Sequence, residues 1–282
     1  MSKKEEEKAL TVKQEHAVAN EMKGMFDGDL VSSGSQMDAE DLRIPKLTLI
    51  QGMTKAAFNT KAVGVGKYIN SLEKNDMGES LDMFVMNDTK LWQFDYEVKE
   101  GSKIKKEYLT ITDFGPYSKL RENWNASALP PEVVEKMQNK GIKFEQLLKP
   151  DLIYRFYVLL VEEVVAGVAF PYIVDFKRSS APAGNQLKNN CYRMFKQMGL
   201  PSYAKVFTLT SNLVQAEHDY YVKEVSAGRN IVKEEVKAVE NWVREMMNNS
   251  EKYVADESDF TEAEDSNTFQ TEATPAKGQP KF

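Results

Sequence analysis

The sequence predicts an α+β protein that is mainly antiparallel β with helical additions. Short runs rich in aromatic and β-branched residues recur between residues 81 and 225, and turn-forming residues separate them. Helical periodicity is confined to a few segments, of which 183–198 and 231–248 are the clearest. Because strand patterns outnumber helical ones, we expect an antiparallel sheet with a few helices packed on it.

Composition sets the limits within which this fold forms. The chain has 282 residues, a formal net charge of −6 and 41% apolar residues, which is enough to bury one sizeable core. A single cysteine, Cys191, excludes an internal disulfide framework. With only two histidines, His16 and His218, a thiolate–imidazole zinc site is excluded as well, whereas a purely carboxylate metal site stays open.

Neither a secretory leader nor a membrane helix is predicted. The first eight residues, Met-Ser-Lys-Lys-Glu-Glu-Glu-Lys, are followed by no apolar run. The most apolar stretch, 152–174, is interrupted by Arg155, Glu162 and Glu163, and a membrane span needs about 20 mostly uncharged residues. We therefore expect two adjacent strands here, no membrane partner and a cytoplasmic location.

Charge and turn-forming residues divide the chain into three regions. Residues 1–37 form a polar N-terminal extension, with an amphipathic helix predicted over 5–26 and a Ser/Gly linker after it. Residues 251–282 carry three lysines and eight acidic residues, and we predict a disordered acidic tail. The region between them, 38–250, is the predicted folded domain.

The first half of that domain has the pattern of strands joined by turns. Pro45 favours an extended Ile44, and Gly64-Val-Gly-Lys-Tyr predicts a turn that leads into a strand. A three-stranded meander follows, with turns at Asn87-Asp88 and at residues 100–102. Its strands are predicted at 81–86, 91–98 and 108–112. Residues 113–151 predict a long insertion with a short helix over 132–140.

The second half alternates between strands and helices. A hairpin is predicted over 152–162 and 164–177, with its turn at Glu162-Glu163. The helix over 183–198 ends at Gly199. Two more strands, at 204–211 and 219–225, precede the last helix, 231–248. About seven strands with an insertion and two helices fit a small antiparallel barrel of the oligonucleotide-binding type, and a sandwich fits nearly as well.

Two segments of the domain are basic although the chain is acidic overall. Residues 42–70 contain five cations and no acid, and residues 171–211 contain six cations and one acid, Asp175. An ordinary solvated face is the alternative for either segment, but two of them favour a surface that binds a polyanion. The candidate phosphate-binding residues are Arg43, Lys46, Lys55, Lys61, Lys67, Lys177, Arg178, Lys188, Arg193, Lys196 and Lys205.

Aromatic residues are interleaved with these cations. Single-stranded nucleic acid is bound by this combination, because cations follow the phosphates while flat rings stack on bases without reading their identity. Helical spacing places Lys188, Tyr192 and either Phe195 or Lys196 on one stripe. Phe195 and Phe207 themselves are predicted to be core residues. The candidate stacking rings are Tyr68, Trp92, Phe94, Tyr172, Phe176, Tyr192 and Tyr203, with burial in the core as the alternative for each.

No motif predicts an enzyme or a cofactor. Gly64-Val-Gly-Lys-Tyr lacks the spacing of a phosphate loop and the third glycine of a dinucleotide fingerprint. Glu162-Glu163 has the position of a hairpin turn rather than of a metal site. Cys191 lies in a predicted helix and is expected to be a buried or half-buried thiol.

Two phenylalanines of the acidic segment 251–282 suit docking to a partner protein. Phe260 lies within the acidic run, and the sequence ends at Phe282. Such a ring fills an apolar pocket while the terminal carboxylate meets a basic residue. The same segment also has the charge to compete with nucleic acid for the basic surface, and a solubilising tail is the alternative.

A family resemblance is carried by four parts of the chain. They are the opening Glu40-Asp-Leu-Arg-Ile-Pro-Lys-Leu-Thr-Leu-Ile-Gln, the block Phe170-Pro-Tyr-Ile-Val-Asp-Phe-Lys-Arg-Ser-Ser, the basic helix after it and the acidic tail. Together they resemble the single-stranded DNA-binding proteins of tailed bacteriophages. The resemblance implies an oligonucleotide-binding barrel with additions, an acidic partner-binding tail and a place in the host cytoplasm.

We therefore expect sequence-independent binding of single-stranded DNA in replication, recombination and repair. The acidic tail is expected to recruit replication or recombination proteins, and a homo-oligomer is possible. One alternative is a phage structural or interaction protein whose basic surface docks another protein. Another is a protein that anneals complementary strands.

Overall fold

The computed structural model describes residues 43–51, 63–100, 103–112, 122, 124–216, 219–248 and 254–255. Within these residues the predicted α+β class, with mostly antiparallel sheets, is confirmed. The strands are β1 (Arg43–Ile44), β2 (Leu47–Leu49), β3 (Tyr68–Asn70), β4 (Asp76–Gly78), β5 (Ser80–Glu100), β6 (Lys103–Thr112), β7 (Asp151–Leu160), β8 (Pro171–Phe176), β9 (Lys205–Val214), β10 (Tyr220–Asn230) and β11 (Val254–Ala255). The helices are α1 (Pro131–Lys140), α2 (Val161–Ala166), α3 (Ala181–Arg193) and α4 (Lys233–Asn248).

Strand β5 organises the main sheet. Its 21 residues pair with β7 along one edge and with β9 and then β6 along the other, in the order β10-β9-β5-β7-β8 with β6 beside β5. The predicted turn at Asn87-Asp88 is wrong, because the chain passes this point as a β-bulge within one strand. The unpaired residue of the bulge is Met86, and Asn87 and Asp88 after it pair with Tyr157 and Phe156 in the ladder.

The bulge keeps the two apolar groups of β5, one before it and one after it, on the same face of the strand. Before it, Met83 and Val85 face the main core; after it, Asp88 lies opposite Phe156, which belongs to the same core. The extra residue of the bulge shifts by one position which side chains of β5 face the core. Trp92 and Phe94 consequently point to this face too, where they join a second apolar cluster with α1.

The six-stranded sheet curls but does not close into a barrel within the described residues. No ladder joins its outer strands, β8 and β10. Side chains span the gap instead: Lys223 Nζ donates to the backbone carbonyl of Asp175 at 2.8 Å, and the Lys223 amide donates to Ser180 Oγ at 3.0 Å. The expected barrel of the oligonucleotide-binding type is thus not confirmed in detail.

A small sheet, β2-β3-β4, covers the inside of the curl. At one end Ile173 donates its amide to the carbonyl of Pro45 at 2.9 Å. At the other end the Gln51 side chain exchanges two hydrogen bonds with the backbone of Tyr221, at 2.7 and 2.8 Å. Residues 45–51 therefore reach from one outer strand of the main sheet to the other.

The apolar stretch at 152–174 forms the predicted pair of strands, β7 and β8, in antiparallel register. The connection is not the tight turn predicted at Glu162-Glu163, because α2 starts there and ends at Gly167, whose φ is 76°. Glu163 accepts hydrogen bonds from the Tyr172 hydroxyl at 2.6 Å and from the Phe170 amide at 3.3 Å. Partial burial raises the pKa of this carboxyl above its usual range.

Helix α3 fills the space between the outer strands, and α4 covers the other face of the sheet. Leu187, Cys191 and Met194 enter the core formed by β5, β7, β8 and β9. Helix α4 buries Val239 against Phe84 and Val206. The predicted helices 132–140, 183–198 and 231–248 correspond to α1, to α3 with the helical turn after it, and to α4.

A buried ion cluster joins the elements that meet near the end of β8. The Asp175 carboxylate accepts from Arg155 Nε at 2.8 Å and Nη2 at 2.9 Å, and Lys46 Nζ lies 2.9 Å from it. These two cations hold the pKa of Asp175 well below its usual range despite the opposing effect of burial. The cluster links β7, β8 and the segment that leads into β2.

Several predicted features lie outside the described residues. They include the helix at 5–26, the rest of the extension 1–37 and nearly all of the tail 251–282. Within that tail only Val254–Ala255 are described, and they pair in parallel with Arg43–Ile44.

Gly184 permits the close packing of α3 on β7 and β8. A Cβ atom at this position would lie 2.6 Å from Phe176 Cβ and 2.9 Å from Tyr154 Cβ. We expect Gly184→Ala to lower the free energy of unfolding by about 1–3 kcal/mol, because both neighbours are held by the sheet. The measurement is urea unfolding followed by circular dichroism.

Gly64→Ala is the matched control for this substitution. The Cβ at Gly64 meets only Lys67 side-chain atoms, at 3.6 Å, and the backbone is not left-handed there. We expect its unfolding free energy to stay within about 0.5 kcal/mol of the parent. Equal losses in both variants would contradict the close approach of α3.

Replacing Asp175 tests the ion cluster. Asp175→Asn removes the buried negative charge that faces Arg155 and Lys46, so we expect the free energy of unfolding to fall by about 3–5 kcal/mol at pH 7. The folded-state pKa lies below the unfolded value of about 3.9. The carboxylate's contribution is therefore complete above that value and is lost as the pH falls through the folded-state pKa.

The parent should therefore lose part of its advantage in unfolding free energy over Asp175→Asn as the pH falls below about 4. Urea titrations at pH 7 and pH 3 measure it. Lys46→Met keeps the Arg155 pair and should cost less, about 1.5–3 kcal/mol. A gap that stays constant down to pH 3 would contradict the proposed charge state of Asp175.

Candidate nucleic-acid interface

Helix α3 and the helical turn that follows it carry two parallel stripes of different chemistry. Leu187, Cys191 and Met194 form the buried stripe, at spacings of four and three residues. The stripe displaced by one residue, Lys188, Tyr192 and Phe195, faces outward. Because 3.6 residues make a turn, a shift of one position moves a side chain from the core to the surface.

Two aromatic rings on this outer stripe are largely exposed. The exposed fraction is 60% for Tyr192 and 62% for Phe195. The prediction that Phe195 is a core residue is therefore wrong, whereas Phe207 is completely buried as predicted. The sequence did contain the necessary signal, since Phe195 follows Lys188 and Tyr192 in the helical register.

The same surface is basic. Residues 181–198 contain Lys188, Arg193 and Lys196 and no acidic residue. Among the described residues no ion-pair partner contacts Arg193, Lys196 or Lys205. The ammonium of Lys196 lies 5.5 Å from the centroid of the Phe195 ring, so cation and ring form one patch. We call Tyr192, Arg193, Phe195, Lys196 and Lys205 the α3 surface.

A cavity of about 290 Å³ adjoins the α3 surface where α3, β9 and β10 meet. Its wall includes the cations Arg193 and Lys205 and the amides Asn190 and Gln197. Apolar atoms come from Met194, Met198 and Phe207, and Ala227 lines the side formed by β10. The cavity thus combines positive charge, planar amides and apolar surface.

A π-helical turn over Met194–Met198 shapes this region. It follows α3 directly and ends at Gly199, whose φ is 65°, as the sequence predicted from the glycine and the proline after it. The wider turn changes the angular spacing of its side chains, and such turns are frequent at functional sites. Phe195 and Met198 are both more than half exposed there.

Five of the rings predicted to stack on bases belong to the core. Each is less than 10% exposed, so its face is covered by protein. They are Tyr68, Trp92, Phe94, Tyr172 and Phe176. The rings lie on sheet faces, as the alternation predicts, but those faces are covered by α1, α3 and the small sheet. The prediction that these five rings stack on bases is therefore wrong, and they are core residues.

Buried hydroxyl groups confirm that two of these tyrosines are built into the fold. Tyr68 donates to the carbonyl of Thr210 at 2.9 Å. Tyr172 donates to Glu163, and burial raises the pKa of its phenol far above the usual value. Trp92 and Phe94 pack in the cluster with α1, where Phe94 meets Trp124 at a centroid distance of 5.9 Å.

Several predicted phosphate-binding cations are engaged by carboxylates. Lys46 pairs with Asp175, and Lys67 Nζ lies 2.7 Å from Asp76, which raises the pKa of this lysine. Lys188 is hydrogen-bonded to Asp88. Arg178 is 2.6 Å from Asp151 and 3.3 Å from Asp95. Charge counting along the sequence did not reveal these pairs because each partner comes from a different strand or turn.

The remaining predicted residues are dispersed. Arg43 is exposed on β1, Lys177 is half-buried beside β8, and Tyr203 packs against the cluster beneath α4. Burial raises the pKa of Tyr203. Four predicted residues lie outside the described part of the chain: Lys55, Lys61, Phe260 and Phe282.

Two further findings bear on the chemistry. Cys191 is 6% exposed, and burial raises the pKa of its thiol to about 12, so it is not a reactive thiolate at neutral pH. The described residues contain no group of three or more His, Cys, Asp or Glu side chains suited to a metal ion. Among the helices described, none is both long and apolar enough to cross a membrane.

Comparison with protein-family models, with curated proteins and with solved structures finds no match for this chain.

The tyrosines at 192 and 172 provide a matched test of this surface. Tyr192 is 60% exposed and Tyr172 is 6% exposed. We expect Tyr192→Ala to change the free energy of unfolding by less than about 0.5 kcal/mol, and Tyr172→Ala to lower it by about 3–5 kcal/mol. Urea unfolding measures both, and a large loss in Tyr192→Ala would contradict the exposed position of this ring.

Proposed function

We propose that this protein binds single-stranded DNA independently of sequence through the α3 surface. The observation that carries the proposal is the juxtaposition of two exposed rings, Tyr192 and Phe195, with cations that no described carboxylate neutralises. Rings and cations in this arrangement match what a single strand offers, because unpaired bases present flat faces and the phosphates present a regular series of charges.

The α3 surface also supports selection against duplex DNA. In a duplex the base faces are stacked on one another, so exposed rings gain nothing from them, whereas the cations meet phosphates in both forms. Stacking on Tyr192 or Phe195 is worth about 1–3 kcal/mol per base. Because every base has an aromatic face, this energy does not depend on sequence.

The proposed biological setting is replication, recombination and repair of DNA, with the acidic segment 251–282 recruiting partner proteins through Phe260 or Phe282. The charge of that segment and these two phenylalanines support this part of the proposal. The oligonucleotide-binding barrel and the resemblance to phage proteins belong to the same hypothesis.

A second candidate function is docking of another protein on the same surface. Met198 and Leu200 are 66% and 42% exposed and extend the patch of Phe195, and exposed apolar patches are typical of protein interfaces. Strand annealing is a further alternative within nucleic-acid binding. Binding of a labelled oligo-dT distinguishes single-strand binding from docking of another protein. Pairing of two complementary strands distinguishes strand annealing from simple binding of one strand.

Removing two cations from the α3 surface tests the proposal. We expect the double variant Arg193→Ala/Lys196→Ala to bind labelled oligo-dT more weakly at low salt. The slope of log affinity against log salt should fall in magnitude by about 1.4, since each phosphate contact on a single strand contributes about 0.7. Fluorescence anisotropy at several salt concentrations measures both quantities, with duplex DNA as competitor.

Lys237→Ala/Arg244→Ala is the control of equal charge. Both residues are exposed on α4, which packs on the other face of the sheet. This double variant should bind oligo-dT like the parent. Equal weakening in the two variants would indicate an effect of net charge alone, and absence of binding by the parent at low salt would refute the proposed function.

A further inference from the structure

The cavity beside the α3 surface has the size and chemistry of a subsite for one nucleotide. Its volume of about 290 Å³ is at the lower end of the range for small-molecule sites. A cavity of this size suits a single nucleotide rather than a larger ligand. Phe207 at its floor is completely buried, whereas Met198 at its rim is 66% exposed. The cavity therefore opens towards solvent over an apolar floor.

Polar groups are arranged around this apolar floor. Arg193 and Lys205 come from α3 and β9, and no described carboxylate pairs with either. Asn190 and Gln197 contribute side-chain amides from α3 and the π-helical turn. An amide both donates and accepts, so it matches hydrogen-bonding edges of all four bases.

We propose that this cavity takes up one nucleotide of the bound strand. The base lies against Met198 and Ala227, above the buried side chains of Met194 and Phe207, and its phosphate lies between Arg193 and Lys205. Asn190 and Gln197 bond the edge of the base without selecting its identity. This inference rests on the proposed function, since it assigns the cavity to the same strand that the α3 surface binds.

The π-helical turn gives a structural reason for a cavity at this place. Buried Met194 and exposed Met198 lie four residues apart within the turn, so one side chain closes the floor and the other forms the rim. Opposite them, β10 contributes only the methyl group of Ala227, which lies next to Phe207 in the ladder. A larger side chain at 227 would occupy the space assigned to the base.

Filling the cavity therefore separates base binding from phosphate binding. We expect Ala227→Leu to weaken binding of oligo-dT about tenfold. Binding of an abasic oligomer of the same length, which has the phosphates and sugars but no bases, should equal that of the parent. Fluorescence anisotropy with the full chain measures both affinities.

Ser226→Leu is the control for this substitution. Ser226 is an exposed neighbour on the same strand, and alternation turns it to the opposite face. It should bind both oligomers like the parent. Gln197→Ala offers a second test at an exposed position of the π-helical turn, with Gln186→Ala, an exposed position of α3, as its control. Gln197→Ala should weaken binding of oligo-dT only.

The outcomes distinguish the two proposals. If the parent binds neither oligomer, the proposed function fails and the subsite fails with it. If the parent binds oligo-dT and both Ala227→Leu and Gln197→Ala bind it equally well, the subsite is refuted and the function stands. An equal loss on both oligomers also refutes the assignment of a base to this cavity.

Discussion

The arrangement of this molecule depends on the buried carboxylate of Asp175. Arg155 from β7 and Lys46 from the segment before β2 converge on its side chain, while Lys223 from β10 reaches its backbone carbonyl. A buried charge is stable only when its partners are all in place. The three cations therefore fix how the outer strands and the small sheet sit around the main core.

That constraint determines where α3 lies. The outer strands are joined by side chains rather than by a ladder, and the space between them is filled by the helix. Gly184 lets the helix approach β8 closely, and Leu187, Cys191 and Met194 complete the core. The outer half of the helix is then presented to solvent with its rings and cations, together with the cavity at its C-terminal end.

The sequence located this helix but not the extent of the interface. Lys188, Tyr192, Arg193, Lys196 and Lys205 were expected near one another, and four of them now define the α3 surface together with Phe195. The predicted rings on β5 and β8 are core residues instead, since alternation alone does not tell which sheet face another layer covers. The cavity also escaped prediction, because its walls come from residues 190–198, 205–207 and 227.

Local patterns alone determined the segments of α1, α3 and α4, the end of the helical turn after α3 at Gly199, the pairing of β7 with β8 and the basic character of residues 181–198. These depend on neighbours within a few positions, which is the range over which periodicity and turn chemistry act. Tertiary structure alone decided that β5 continues through Asn87-Asp88, that the sheet stays open, and which cations are neutralised. Each of those outcomes depends on contacts between residues far apart in the chain, such as Lys46 with Asp175 and Lys188 with Asp88, and such pairs leave no periodic trace in the sequence.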